Sequence, residues 1–185
     1  RMISYGCDKS KFEGTNDMKK IIVIGCPGSG KSTFSRALHR QTGIPLFYLD
    51  MMYWNPDRTT VDPSIFRERQ RNAIQQNEWI IDGNYGSTME FRLQACDTVF
   101  FLDYPVDICL RGVAERRGKA RDDMPWIEAE PDAEFVALIK NYRVQSRPKV
   151  MDLLDKYSYK DIHVFQARNE ADEFLKQING RRTVR

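Results

Sequence analysis

The chain has 185 residues, of which 41% are hydrophobic and 30% charged, with a formal net charge of +3; that length suits one α/β domain with a real core. So small a charge does not by itself argue for nucleic acid, and it suits an anionic, phosphorylated substrate. No apolar run approaches membrane-spanning length, the polar first residues carry no signal-peptide pattern, Cys7, Cys26, Cys96 and Cys109 form no CxxC pair, and His39 and His163 stand far apart; a membrane span, a zinc ribbon and a redox dithiol are thereby excluded. The cysteines read as reduced thiols of a cytoplasmic protein.

In chain order, residues 1–17 lack periodicity and are expected to lie outside the fold as an extension, with Met18 a natural beginning and one domain from 18 to 185. Ile21-Ile22-Val23-Ile24 is a continuous β-branched run, which predicts a central strand buried on both faces. A glycine-rich turn follows over 25–30, then a helix over 31–42 with Phe34, Ala37 and Leu38 on one side and Gly43 as its stop. A second strand is expected over 45–49, ending at Asp50, and then a loop from Met51 through Trp54 to Pro56. Asp62-Pro63 predicts the start of a helix that runs to about Asn77. Trp79-Ile80-Ile81 forms a third strand stopping at Asp82-Gly83, 87–95 a short helix, and 98–102 a fourth strand ending at Asp103, which is expected to help start the helix opened by Pro105. Residues 116–131, broken by Gly118, Pro125 and Pro131, read as a charged, mobile excursion. Residues 132–157 are helical with a break or kink at Pro148, 162–165 form a fifth strand, and a closing helix begins at Asn169 as its cap. Each strand-to-strand connection contains a helix, so a three-layer α/β/α fold around a parallel sheet is expected.

Gly25-Cys26-Pro27-Gly28-Ser29-Gly30-Lys31-Ser32 matches GxxxxGK[ST] at every defined position. The glycines let backbone N–H groups approach phosphate oxygens without a Cβ in the way. The helix beginning at Lys31 turns its positive end to the anion. Lys31 adds a point charge at the β- and γ-phosphates, Ser32 offers its hydroxyl to Mg²⁺, and Thr33 completes the first turn. A chance match in a chain of ordinary glycine content is roughly one in a hundred, and here the motif sits between a strand and an amphipathic helix. ATP with Mg²⁺ is therefore the expected cofactor pair.

Asp50, Asp82 and Asp103 each follow an apolar strand, at the edge where parallel sheets bind ligands. Asp82 is the candidate partner, with Ser32, for magnesium or its waters, since a hard dication takes oxygen ligands. Asp50 is placed to take a proton from an attacking hydroxyl or to hold a substrate hydroxyl. Arg111, Arg116, Arg117, Lys119 and Arg121 fall close together against one acid, Glu115. Such a cluster is either a solvated basic face or, after the fourth strand, the lid of a kinase, where arginine forks neutralise a transferring phosphoryl group. The aromatic loop at 51–54 is either packing or the wall of an acceptor pocket.

With the P-loop, Tyr48-Leu49-Asp50, Trp79-Ile80-Ile81-Asp82-Gly83-Asn84-Tyr85, Arg92, Arg116-Arg117 and Arg147-Pro148-Lys149 in place, residues 18–174 resemble the bacterial topology-modulation (FlaR-type) proteins. These are relatives of adenylate kinase in the nucleoside monophosphate kinase-like P-loop group. The resemblance implies strand order 2-3-1-4-5 and a helical lid at about 116–131. It implies that Asp82 organises magnesium, that Arg92 and Tyr85 lie with Asp50 on the acceptor side, and that Arg116, Arg117 and Arg121 are lid arginines, with Arg117 and Arg121 acting in catalysis beside Lys31. Asn84-Tyr85 stands where adenylate kinases have Phe-Pro, so AMP is not assigned as acceptor, and a lid without cysteine excludes a zinc-bearing one. Two functions are carried forward. One is an ATP- and Mg²⁺-dependent phosphotransferase acting on a small acceptor through an alcohol or a phosphate. The other is an ATP-binding regulator of DNA topology that meets nucleic acid through the basic cluster, although no helix-turn-helix, zinc finger or RNA-binding signature is present.

Overall fold

The computed structural model describes residues 18–128 and 133–182, with side chains as far as 178; residues 1–17 and the end of the 116–131 segment lie outside the described residues. The apolar run becomes strand β1 (Lys20–Gly25), buried at every position after Lys20. Around it stand β2 (Leu46–Tyr48), β3 (Trp79–Asp82), β4 (Thr98–Leu102) and β5 (Asp161–Phe165) in the order β2-β3-β1-β4-β5, with every pairing parallel. β3 and β4 are likewise buried throughout, so the centre of the sheet is covered on both faces and its three central strands read as apolar runs, while the edge strands β2 and β5 are partly exposed.

The helices are α1 (Lys31–Thr42), α2 (Leu49–Tyr53), α3 (Pro63–Ile74), α4 (Gly86–Ala95), α5 (Val106–Arg116), α6 (Ala133–Gln145), α7 (Arg147–Lys156) and α8 (Arg168–Arg182). Right-handed crossovers put α1 on one face of this strand order and α3, α4 and α5 on the other. On the α1 face Phe34 packs 5.0 Å from Phe100, and Phe174 of α8 lies 5.0 Å from the same ring. Tilted aromatic pairs of this kind add to ordinary apolar burial, and Phe100→Ala here would cost about 3–5 kcal/mol. Asp62 caps α3 by accepting from the Ser64 backbone N–H at 2.7 Å, with Pro63 in the first turn. Among the described residues no helix is long and apolar enough to cross a membrane, and Cys26, Cys96 and Cys109 are buried free thiols.

Several expectations need correction. The loop from Met51 begins instead as a helical turn, α2, so Asp50 sits in that turn rather than at a strand end; the Trp54 N–H closes the turn on the Asp50 carbonyl at 3.0 Å. The break expected at Pro148 is present: the helix divides at Ser146, because the proline is accommodated in the first turn of a new helix, α7. Asn169 lies inside α8 rather than capping it. Asp103 does not start α5: it is buried and receives a two-pronged contact from Arg147, with Nε at 2.9 Å and Nη2 at 2.7 Å. A buried carboxylate is stable only when paired, and the guanidinium fork matches it. The segment from Arg117 to Glu128 is no loose excursion either: Asp123 is buried against the P-loop helix, and Trp126 stacks edge-on against Trp54 at 5.3 Å.

Candidate active site

The P-loop is the turn between β1 and α1, and its shape is enforced by close packing. Gly28 has φ +83, and a Cβ there would stand 2.1 Å from the Cys109 carbonyl oxygen of α5. No side chain fits that approach, so the loop lies directly on α5. No side chain caps the start of α1, where Gly30 adopts a left-handed conformation, and the first-turn amides stay available to an anion. Lys31 folds back over the loop, its Nζ donating to the carbonyls of Gly25 at 3.0 Å and Cys26 at 3.1 Å. Asn84 braces the loop from the β3–α4 turn: its Oδ1 accepts from the Gly25 N–H at 3.0 Å and its Nδ2 donates to the Gly25 carbonyl at 2.7 Å.

Asp82 ends β3 in register with Val23 of β1. It is 5% exposed, and its Oδ1 is a buried oxygen without a hydrogen-bond partner. Burial pushes its carboxyl up to about 6, against the pull of Lys31. An orphaned carboxylate oxygen beside a serine hydroxyl is the donor set a hard dication takes, so Ser32 and Asp82 fit Mg²⁺. Asp50 accepts from the Tyr85 hydroxyl at 2.6 Å. Burial raises its proton affinity, partly offset by that hydrogen bond and by Lys31.

Two cavities meet at this point. One, of about 1080 Å³, is lined by Pro27, Asp50, Asp82, Tyr85 and Arg117 and walled by Trp54 and Trp126. The second, of about 550 Å³, runs along Gly28, Ser29, Gly30 and Thr33 to Tyr104, Arg121 and Arg168. Both are lined by Lys31, Ser32, Arg116 and Asp123. Gly25 stays behind the loop on Asn84 and lines neither.

Arg92 is not on the acceptor side. It is fully buried, and its guanidinium donates to the carbonyls of Gly83 at 2.9 Å, Tyr85 at 3.2 Å and Asn84. It therefore clamps the Asp-Gly-Asn-Tyr turn from behind, which holds Asp82 and Tyr85 in place without touching either cavity. Arg116 and Arg121 are turned inward, whereas Arg117 is exposed at the rim of the larger cavity. Arg116 Nε lies 2.9 Å from Glu128, and Arg121 lies 3.4 Å from Glu128 and 3.5 Å from Asp123. Asn84 and Asp123 belong to the site beyond the residues expected from sequence, while Arg116, expected within the arginine cluster, lines both cavities. The Asp-Gly-Asn-Tyr block contained a signal for Asn84, and the adjacency of Asp123 to Arg121 one for the lid acid. Their partners were legible only in three dimensions.

No family model matches the chain, and no curated protein matches it. Among solved structures it is similar to shikimate kinase from Aquifex aeolicus VF5, at 19% identity and TM-score 0.50 over 85% of this chain and 92% of that one. It is similar as well to shikimate kinase from Bacteroides thetaiotaomicron, at 20% identity and TM-score 0.50 over 88% and 97%. Together with the strand order and the loop, these likenesses give the chain the P-loop kinase fold.

Proposed function

We propose that this protein is an ATP- and Mg²⁺-dependent phosphotransferase acting on a small acceptor through a hydroxyl or a phosphate, of the kind the topology-modulation resemblance implies. The observation that carries this reading is the meeting of two cavities at Lys31 and Ser32, one along the P-loop and one over Asp50. A donor and an acceptor need such a junction to bring the reacting atoms together, and phosphoryl transfer asks little more of the protein than positioning and charge neutralisation. The fold shared with two shikimate kinases supports the reading.

In this reading the loop amides and Lys31 hold the triphosphate. Ser32 and Asp82 hold Mg²⁺, which contributes neutralisation of phosphate charge. Asp50, with its raised proton affinity, accepts the proton of an acceptor hydroxyl. Tyr85 keeps that carboxylate aimed across the cavity. Arg116, Arg117 and Arg121 supply positive charge from the lid side. The nucleic-acid reading is less well served, because Arg116 and Arg121 are spent on Glu128 and Asp123 instead of forming an outward basic stripe.

The test is a product screen in which ATP consumption is followed with nucleoside monophosphates, nucleosides and small hydroxylated metabolites. A phosphorylated product that requires Mg²⁺ and disappears in Asp50→Asn supports the proposal. Steeply salt-sensitive DNA binding without acceptor-stimulated turnover would replace it with the regulator.

A further inference from the structure

Asp123 reaches the phosphate cradle from outside the P-loop. It is 5% exposed, and its Oδ2 accepts a hydrogen bond from the Ser32 hydroxyl at 2.7 Å. Its Oδ1 is buried without a hydrogen bond, facing Arg36 at 3.7 Å and Arg121 at 3.5 Å. Across the same hydroxyl stands Asp82, also 5% exposed and with its own orphaned Oδ1. The two carboxylates and Asp50 repel one another, and each raises the proton affinity of Asp82 or is felt by it. Lys31, the cation nearest the loop, already sits on two backbone carbonyls.

This arrangement has two consequences. A serine hydroxyl has one hydrogen and two lone pairs. With the hydrogen committed to Asp123, the lone pairs of Ser32 are what remain for a ligand, so the hydroxyl is set as an acceptor suited to a cation. The second consequence is charge. A bare polyphosphate entering here meets two buried carboxylates, and like charges a few ångström apart inside a protein change an equilibrium by more than about tenfold. A polyphosphate that brings a divalent cation gives the same carboxylates a counter-charge.

We infer that Asp123 is a specificity-determining residue of the cradle: by orienting Ser32 and adding charge beside Asp82, it selects nucleotide loaded with a divalent cation over the metal-free polyanion. The inference rests on the phosphotransferase reading. It differs from a purely mechanical role for Asp123, pinning residues 117–128 to α1, in what it predicts for the two forms of the nucleotide.

The experiment titrates a fluorescent, non-hydrolysable ATP analogue into the full chain, once in Mg²⁺ and once in EDTA, for wild type, Asp123→Asn and Asp123→Ala. Asn keeps an acceptor for Ser32 without the charge and guards against misfolding of the Ala variant. The expected result is a fall of about tenfold or more in the ratio of Mg²⁺ to EDTA affinity in both variants, with binding in EDTA becoming tighter. A ratio equal to wild type, including equal weakening in both buffers, would overturn the inference alone and leave Asp123 a pin. Failure of the wild type to bind the analogue in either buffer would overturn the phosphotransferase reading and this inference with it.

Discussion

Asp82→Asn offers the sharpest test of the metal assignment, because the structure predicts that this conservative change stabilises the empty protein. The Asp82 carboxyl rises from its ordinary 3.8 to about 6, with burial the main cause. At pH 7.5 the carboxylate is charged in both states, and the rise corresponds to a penalty of about 3 kcal/mol on the folded one. Its sign follows from proton uptake. Between pH 4 and 6 the folded state binds more protons than the unfolded, so stability falls as pH rises through that window and levels off above it. The amide removes the charge but remains a buried polar group with incomplete bonding, which gives back about 1–2 kcal/mol. The expected net gain is about 1–2 kcal/mol at pH 7.5, a rise of roughly 2–8 °C in Tm for a chain of this size, and a net loss of about 1–2 kcal/mol at pH 4, where the folded carboxyl is already neutral and only the cost of the amide remains. Urea and thermal unfolding in EDTA at both pH values measure it. Added Mg²⁺ with ATP at pH 7.5 should stabilise wild type more than the variant. A variant no more stable than wild type at pH 7.5, or equally stabilised at pH 4, would refute the argument that a buried, unpartnered charge waits at this strand end.

Lys31→Ala is expected to weaken ATP binding about 10- to 100-fold by calorimetry, since a charged donor over the loop is lost, while the unfolding midpoint changes little. Tyr85→Phe removes the hydrogen bond that favours the charged form of Asp50, so the acid limb of the pH–rate profile should move to higher pH; an unmoved limb would separate Asp50 from proton transfer. Arg92→Met leaves three turn carbonyls without their buried donor and should cost about 3 kcal/mol in urea unfolding; a selective rise in acceptor KM with unchanged stability would instead return Arg92 to the acceptor side. Arg117→Ala and Arg121→Ala should lower kcat about 100-fold with less effect on ATP affinity, and nucleotide plus acceptor should increase hydrogen-exchange protection across residues 116–128 as Arg116 and Arg121 exchange internal carboxylates for phosphate.

Much of this architecture was already written in local pattern. The β-branched run 21–24, the glycine-rich turn and the helix stop at Gly43 specify a strand, a phosphate loop and a helix because each depends on neighbours within a few residues. The repeated alternation of strand and helix specifies a parallel sheet. The strand order came from resemblance to a family rather than from periodicity, and the structure has that order. What only the tertiary structure decided is where charged side chains spend their charge. Asp50, Asp82 and Asp103 look alike in sequence, each following an apolar run. In the fold one is held by a tyrosine, one is left with an orphaned oxygen and one is neutralised by Arg147, 44 residues away. Arg92 and Arg116 likewise belong to different environments, one closing a turn and one lining two cavities. Backbone preference acts over a single turn or strand. The partner of a buried ion is chosen by packing between segments remote in sequence, because a charge leaves water only where the fold delivers its counterpart.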